Sequence, residues 1–213
     1  MVSSTNLIVG LTGGMGCGKS TAAAQFAVRG FQPLDADQVV RDELLPSPEV
    51  ASAIRARLGP AMLAADGSVR RDRLAEKVFN DPAELAWLEE LLHPRLLARW
   101  RELFAASRGT AFIVEVPLLF EKRLENWFDF TVCVTTDSAS QLRRLEQRGI
   151  SPKFARQRLA KQLPLARKCE LADYVLLNDG TPEFLREQID ALADRLLKSQ
   201  PNRPAGRIHG NPP

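Results

Sequence analysis

The feature that most constrains this chain is a glycine-rich string lodged between an apolar run and a helical one. Leu7 to Thr12 is short, largely β-branched or aliphatic, and uncharged. Gly13-Gly14-Met15-Gly16-Cys17-Gly18-Lys19-Ser20 follows it and matches G-x-x-x-x-G-K-[ST], and Ser20 to Val28 carries apolar residues at helical spacing. Strand, loop and helix in that order make a phosphate-binding loop. The glycines let successive backbone N–H groups turn in on an anion where a side chain would obstruct, and the helix N-terminus adds its positive end. On this reading Gly13, Gly14, Gly16, Cys17 and Gly18 cradle the phosphates of ATP, and Thr21 closes the motif. Lys19 reaches the β- and γ-phosphates, and Ser20 offers an oxygen to Mg²⁺. Cys17 reads as a small spacer. A glycine-rich turn without ligand is the competing reading, and the combination of strand, spacing, Lys and Ser argues against it. A switch GTPase is excluded, because neither Asn-Lys-x-Asp nor Asp-x-x-Gly occurs in the chain.

The rest of the sequence alternates short apolar runs with longer amphipathic ones, the pattern of a parallel sheet with helices on both faces. Strands are expected at Leu7–Thr12, Phe31–Leu34, Thr110–Val116, Phe130–Val134 and Tyr174–Leu177. Helices are expected at Ser138–Gln147 and Thr181–Leu197, besides the one after the loop. About seventy-five residues separate the second strand from the third, too many for a simple crossover. Pro48–Leu58, Arg71–Phe79 and Pro82–Ala106 read as helices inserted there. Leu85, Leu88, Leu92, Leu96 and Leu103 form a stripe on the last, and Pro94 should kink or divide it near His93. Residues 199–213 hold Pro201, Pro204, Pro212 and Pro213 with Gly and Asn, and read as a disordered tail.

Charge and cysteines bound the partners. The formal net charge is only +3, but Arg143 to Lys168 holds nine Lys or Arg against one acid, Glu146. Such a segment expects an anion or is a solvated helical face. Nucleic acid is the rival partner; a single aromatic, Phe154, and no helix-turn-helix, zinc-finger or RNA-recognition signature count against it. The three cysteines, Cys17, Cys133 and Cys169, form neither a CxxC pair nor a Cys/His cluster, so neither disulfides nor zinc is expected. Met1 to Asn6 is polar, and the apolar run behind it is too short for a signal core or a membrane span. The expectation is a cytoplasmic protein without a membrane role; its oligomeric state is not legible.

Asp35-Ala36-Asp37 follows the second strand, and ligands of open α/β sheets collect at the carboxyl ends of strands. A carboxylate there accepts a proton from an attacking hydroxyl, holds Mg²⁺ through water, or caps the next helix, and spacing alone leaves these open. Several segments together give the chain a more specific likeness. Leu11 to Thr21, Asp35-Ala36-Asp37, Asp72-Arg73-Leu74 with Val78-Phe79, Leu92-His93-Pro94, Val116-Pro117-Leu118-Leu119-Phe120-Glu121 and Ala172-Asp173-Tyr174-Val175 leading to Asn178 occur in one order. In these the chain resembles the dephospho-coenzyme A kinases, a family of the P-loop kinase class.

The resemblance implies that ATP phosphorylates the ribose 3′-hydroxyl of dephospho-coenzyme A, the last step of coenzyme A synthesis. It also implies an α/β three-layer sandwich with a central parallel five-stranded sheet, an inserted helical substrate domain and a helical lid. The expected single unit covers 1–198. Its core comprises 1–45, 108–140 and 170–198, the substrate domain spans about 46–107, and the lid about 141–169. By the same resemblance Asp35 is the base or orienter of the acceptor hydroxyl, and Arg144 and Arg148 belong to the lid that closes on ATP. Arg158 and Gln162 match a lid pattern as well. Asn178 contacts adenine, and Phe79 and His93 meet the acceptor. The ordinary readings stand beside these: Asn178 as a turn residue, His93 as a packed or capping histidine. The third strand ends Ile113-Val114-Glu115-Val116, and many relatives have Asp where Glu115 stands, which leaves Ser20 as the main metal ligand. Another small-molecule or nucleoside monophosphate kinase, or a non-catalytic nucleotide-dependent regulator, would share the loop and the basic segment.

Overall fold

The computed structural model describes residues 5–199. The expected disordered tail falls, apart from Ser199, outside the described residues. In chain order the elements are β1 (Leu7–Gly13), α1 (Lys19–Val28), β2 (Gln32–Asp35), the short α2 (Ala36–Val39) and α3 (Pro48–Leu58). Next come α4 (Arg71–Asn80), α5 (Pro82–Ala106), β3 (Ala111–Glu115), β4 (Phe130–Thr135) and α6 (Ser138–Gln147). The chain closes with α7 (Pro152–Leu159), α8 (Leu165–Leu171), β5 (Tyr174–Leu177) and α9 (Pro182–Lys198).

Local chemistry explains most of these boundaries. Four helices open on a capping side chain followed by proline: Ser47-Pro48, Asp81-Pro82, Ser151-Pro152 and Thr181-Pro182. The cap oxygen accepts an otherwise orphaned backbone N–H, and proline suits the first helical position because no donor is needed there. α3 stops at Gly59, whose φ of 94° lies in the left-handed region that glycine enters without strain. A π-helical turn, Val40–Leu44, extends α2 and had no signal in the sequence.

The five strands stand in the order β2-β3-β1-β4-β5. β1 pairs in parallel with β3, Leu11 opposite Glu115, and with β4, Gly13 opposite Val134. β4 pairs in parallel with β5. β1 is buried at every residue, as a central strand covered on both faces must be. α9 buries Leu185, Ile189, Leu192, Ala193 and Leu196, and α1 buries Ala22, Ala23 and Phe26, against the strand residues Val9, Leu11, Ile113, Val132 and Val134.

The chain divides into two compact units, one formed by the stretches ending at Leu34 and beginning at Arg108, the other by Asp35–Ser107. The second unit has its own core, in which Val50 and Ile54 of α3 pack with Leu74 and Val78 of α4 and Leu88 of α5. Pro94 does not divide α5, which runs as one helix from Pro82 to Ala106. A proline costs the helix one hydrogen bond and a local clash, and burial of Leu88, Leu96, Leu97, Trp100 and Phe104 along its length outweighs that. Of the expected stripe, Leu88 and Leu96 are buried, Leu85 and Leu92 are half-buried and pack against the core of this unit, and Leu103 is half-buried.

Candidate active site

In a parallel sheet the strands all point one way, so the segments leaving β1, β4 and β5 emerge at a common edge. Here these are the glycine loop 13–18, residues 136–137 and Asn178. Gly13 is forced by the sheet itself: a Cβ there would stand 2.2 Å from the carbonyl oxygen of Val134. Asn178 donates its backbone N–H to Thr135 O at 2.8 Å, and its carbonyl accepts from Thr136 Oγ1 at 2.9 Å. The exits of β4 and β5 are thereby tied together.

Side chains then fasten the loop. Lys19 is buried, and its Nζ donates to Gly13 O at 3.3 Å and to Gly14 O at 3.2 Å. Gln141, buried on α6, donates through Nε2 to Met15 O at 2.7 Å. Asn178 donates through Nδ2 to Cys17 O at 2.8 Å. Its side chain is therefore engaged with the loop, a task that its position after a strand did not suggest. Ser20 and Thr21 are exposed at the start of α1, their hydroxyls open to a ligand. Cys17 is buried, and burial pushes its thiol above the ordinary range, partly opposed by the charge of Lys19. The spacer reading of Cys17 agrees with a thiol that stays protonated.

Arg144 stands beside this loop. Its Nη2 donates to Asn178 O at 2.8 Å, while Nη1 is buried without a hydrogen-bond partner among the described residues. That nitrogen lies 3.9 Å from where a Cβ on Gly18 would sit. A buried unpaired guanidinium donor is costly, so a site that keeps one beside a glycine cradle is suited to an anion. Arg148 is the exposed C-cap residue of α6. Arg158 lies over the Phe154 ring at 4.5 Å.

The structure also gives work to the Pro-Leu-Leu-Phe-Glu string. Lys168 of α8 is completely buried; its Nζ pairs with Glu121 Oε1 at 2.8 Å and donates to Pro117 O at 2.7 Å. Thr12, next to the loop, donates to the same carbonyl at 3.3 Å, and Glu121 Oε1 accepts from Leu163 N at 2.9 Å. Neither Gln141 nor Lys168 was singled out by sequence reasoning. Their only advance signal is a polar residue on the buried side of a helix, which a sequence does not reveal until the packing is known.

The other expected site residues belong to the second unit. Asp35 is half-buried and is itself the N-cap of α2: its Oδ1 accepts from Asp37 N at 2.8 Å and Gln38 N at 3.1 Å. Asp37 lies in the first turn and is exposed. Phe79 on α4 is 54% exposed, and His93 on α5 is half-buried. Glu115 is half-buried at the end of β3. Among the described residues the cysteines are free, yet Cys133 Sγ stands 3.8 Å from Cys169 Sγ, a proximity that their sequence separation hides. A separate groove of about 340 Å³ between β5 and α9, lined by Tyr174, Leu176, Gln188 and Arg195, includes none of the loop residues.

Known proteins resemble this chain in sequence and in fold. The family model described as dephospho-CoA kinase matches residues 7–183. The chain is 37% identical over 194 residues to a dephospho-CoA kinase of Sodalis glossinidius, covering 91% of this chain and 93% of the relative. It is 39% identical over 196 residues to one of Synechococcus sp. strain CC9605, again covering 91% and 93%. Among solved structures it is similar to a Thermus thermophilus protein, with a TM-score of 0.79, 31% identity, and 90% and 98% of the two chains covered. The dephospho-CoA kinase of Campylobacter jejuni superposes with a TM-score of 0.67 at 25% identity, covering 91% and 98%. A shikimate kinase of Bacteroides thetaiotaomicron, 16% identical with a TM-score of 0.51 and 90% and 98% covered, shares the fold.

Proposed function

The chain belongs to the dephospho-CoA kinase family, and from that premise we propose how its own residues divide the work of phosphoryl transfer. The reaction is ATP-dependent phosphorylation of dephospho-CoA, a step in coenzyme A biosynthesis. The acceptor atom in our reading is the ribose 3′-hydroxyl. Transfer of this kind is mainly positioning and neutralisation of charge.

The loop receives the triphosphate on its backbone N–H groups. Lys19, held on the carbonyls of Gly13 and Gly14, exchanges those neutral partners for the β- and γ-phosphate oxygens. Arg144 contributes its unpaired Nη1 to the phosphates or lays its guanidinium plane on adenine. Arg148 supplies a further exposed cation from the same helix end. The exposed hydroxyl of Ser20 is the oxygen that suits a Mg²⁺ ion carried by the phosphates, a hard cation content with few protein ligands. Such an ion would spread the negative charge that builds on the transferring group.

On the acceptor side Asp35 takes the proton of the attacking hydroxyl. Its Oδ1 is occupied by two backbone N–H groups, which fixes the carboxylate and leaves Oδ2 for the substrate. Phe79 offers an exposed ring to the acceptor, and His93 a polar edge. We place the reaction in the cytoplasm; among the described residues no helix is long and apolar enough to cross a membrane.

The observation that carries this division is the buried Lys19 and half-paired Arg144 meeting at one glycine loop. An acceptor panel with labelled ATP tests it. Dephospho-CoA should be labelled at the 3′-position, and adenosine, shikimate and nucleoside monophosphates should not. Labelling at another hydroxyl would overturn the assignment of the acceptor atom.

A further inference from the structure

We propose that Gln141 and Asn178 are positioning residues for the phosphate loop, each holding one peptide plane so that a glycine N–H stays turned to the phosphates. The proposal rests on the reading of this loop as the ATP site. Gln141 Nε2 meets Met15 O at 2.7 Å, and Asn178 Nδ2 meets Cys17 O at 2.8 Å. Both side chains belong to buried residues, 7% and 8% exposed, so water does not compete for those carbonyls.

The carbonyl of Met15 shares its peptide plane with the N–H of Gly16, and that of Cys17 with the N–H of Gly18. No cis peptide bond occurs among the described residues, and in a trans peptide the C=O and N–H point in opposite directions. An amide that holds the carbonyl therefore aims the N–H the other way. Each of the two planes ends on a glycine and would otherwise rotate easily. Gly16 has φ of 83° and Gly18 of 94°, and glycine passes between positive and negative φ at little cost.

The glycines in turn make room for the amides. A Cβ on Gly14 would stand 2.6 Å from Gln141 Nε2, and one on Gly18 only 2.2 Å from Asn178 Nδ2. Two further carbonyls of the loop, on Gly13 and Gly14, accept from Lys19. Lys19 is also called on by the phosphates, whereas the side-chain amides of Gln141 and Asn178 are given to the loop carbonyls. They keep the Gly16 and Gly18 donors in place while the lysine changes partners.

Glycine-selective ¹⁵N labelling of the full chain reads the two planes directly, without nucleotide. Gln141→Leu and the isosteric Gln141→Glu should move or broaden the Gly16 amide signal and leave Gly18 in place. Asn178→Leu should do the reverse. KM for ATP should rise about five- to tenfold in each variant, the size of one hydrogen bond, with KM for dephospho-CoA within about twofold. Gln141→Glu separates positioning from packing, because it keeps shape and replaces a donor by an acceptor facing Met15 O. If Gln141→Glu leaves both the Gly16 signal and KM for ATP at parent values, the proposal fails. If the parent protein itself does not bind ATP, the reading of the loop fails, and the glycine signals still decide whether the two amides hold it.

Discussion

The donor loop and the proposed acceptor base are held by opposite means. The carbonyls of Met15 and Cys17 are bonded to residues 126 and 161 positions away in the chain. Asp35 is bonded to the N–H groups two and three residues on. The cradle is thus finished only when the sheet has assembled and α6 and the exit of β5 have arrived. The carboxylate is oriented as soon as one turn of α2 forms. Damage to the sheet core should therefore reach the nucleotide first, and damage at Asp35 should reach turnover first.

The largest expected effect tests that contrast. Asp35→Asn should lower kcat by orders of magnitude while KM for ATP stays nearly unchanged, because the amide cannot take the hydroxyl proton. Lys19→Ala should harm both parameters, since its charge serves ground state and transition state alike. Steady-state kinetics on the two variants would dissolve the comparison if Asp35→Asn raised KM for ATP as much as Lys19→Ala.

Next in size is the buried pair behind the loop. Lys168→Met leaves Glu121 in a buried setting without its cation and should cost about 3–5 kcal/mol in chemical denaturation. The double variant Lys168→Met, Glu121→Leu should recover much of this, because no uncompensated charge remains.

The cap at Asp35 gives a smaller and sharper test. Asn is as good an N-cap as Asp, so Asp35→Asn should alter stability by only a few tenths of a kcal/mol. Asp35→Ala, which loses both backbone bonds, should cost about 1 kcal/mol. Equal stability losses in the two variants would show that the carboxylate charge, not the cap, matters to α2.

The smallest effect concerns Cys17. Because burial raises its pKa above the ordinary range of a thiol, against the opposing charge of Lys19, Cys17 is protonated at neutral pH and its thiolate gains population only on the alkaline side. Alkylation followed by peptide mass mapping should show slow modification of Cys17 at pH 7, rising only as the solution is made alkaline. Fast modification at pH 7 would mean that the positive loop outweighs burial.

Much of the fold was legible because its signals are local. The apolar runs fall at the strands to within a residue, and the helices expected from Pro48, Pro82 and Thr181 begin there on a capping side chain, whereas α7 after Ser151 was not expected. Of the kink or division expected at Pro94, the division does not occur: proline's local cost is plain in a sequence, and the burial of Trp100 and Phe104 along one continuous helix is not. Asn178 was noticed for its place after a strand, while its bond to Cys17 depends on how β5 lies beside β4. Gln141 drew no attention, since a glutamine in an amphipathic helix looks solvated until α6 is laid against the loop.

By itself the sequence determined the strand–loop–helix around Lys19, the parallel α/β alternation and the helical insertion. These follow from propensities, periodicity and spacing, which act over a few residues at a time. The tertiary structure alone decided which peptide planes are clamped, that Lys168 is buried against Glu121 and Pro117, and that Arg144 keeps one nitrogen unpaired beside Gly18. Those facts depend on contacts between residues far apart in the chain, whose geometry is set by the order of strands in the sheet.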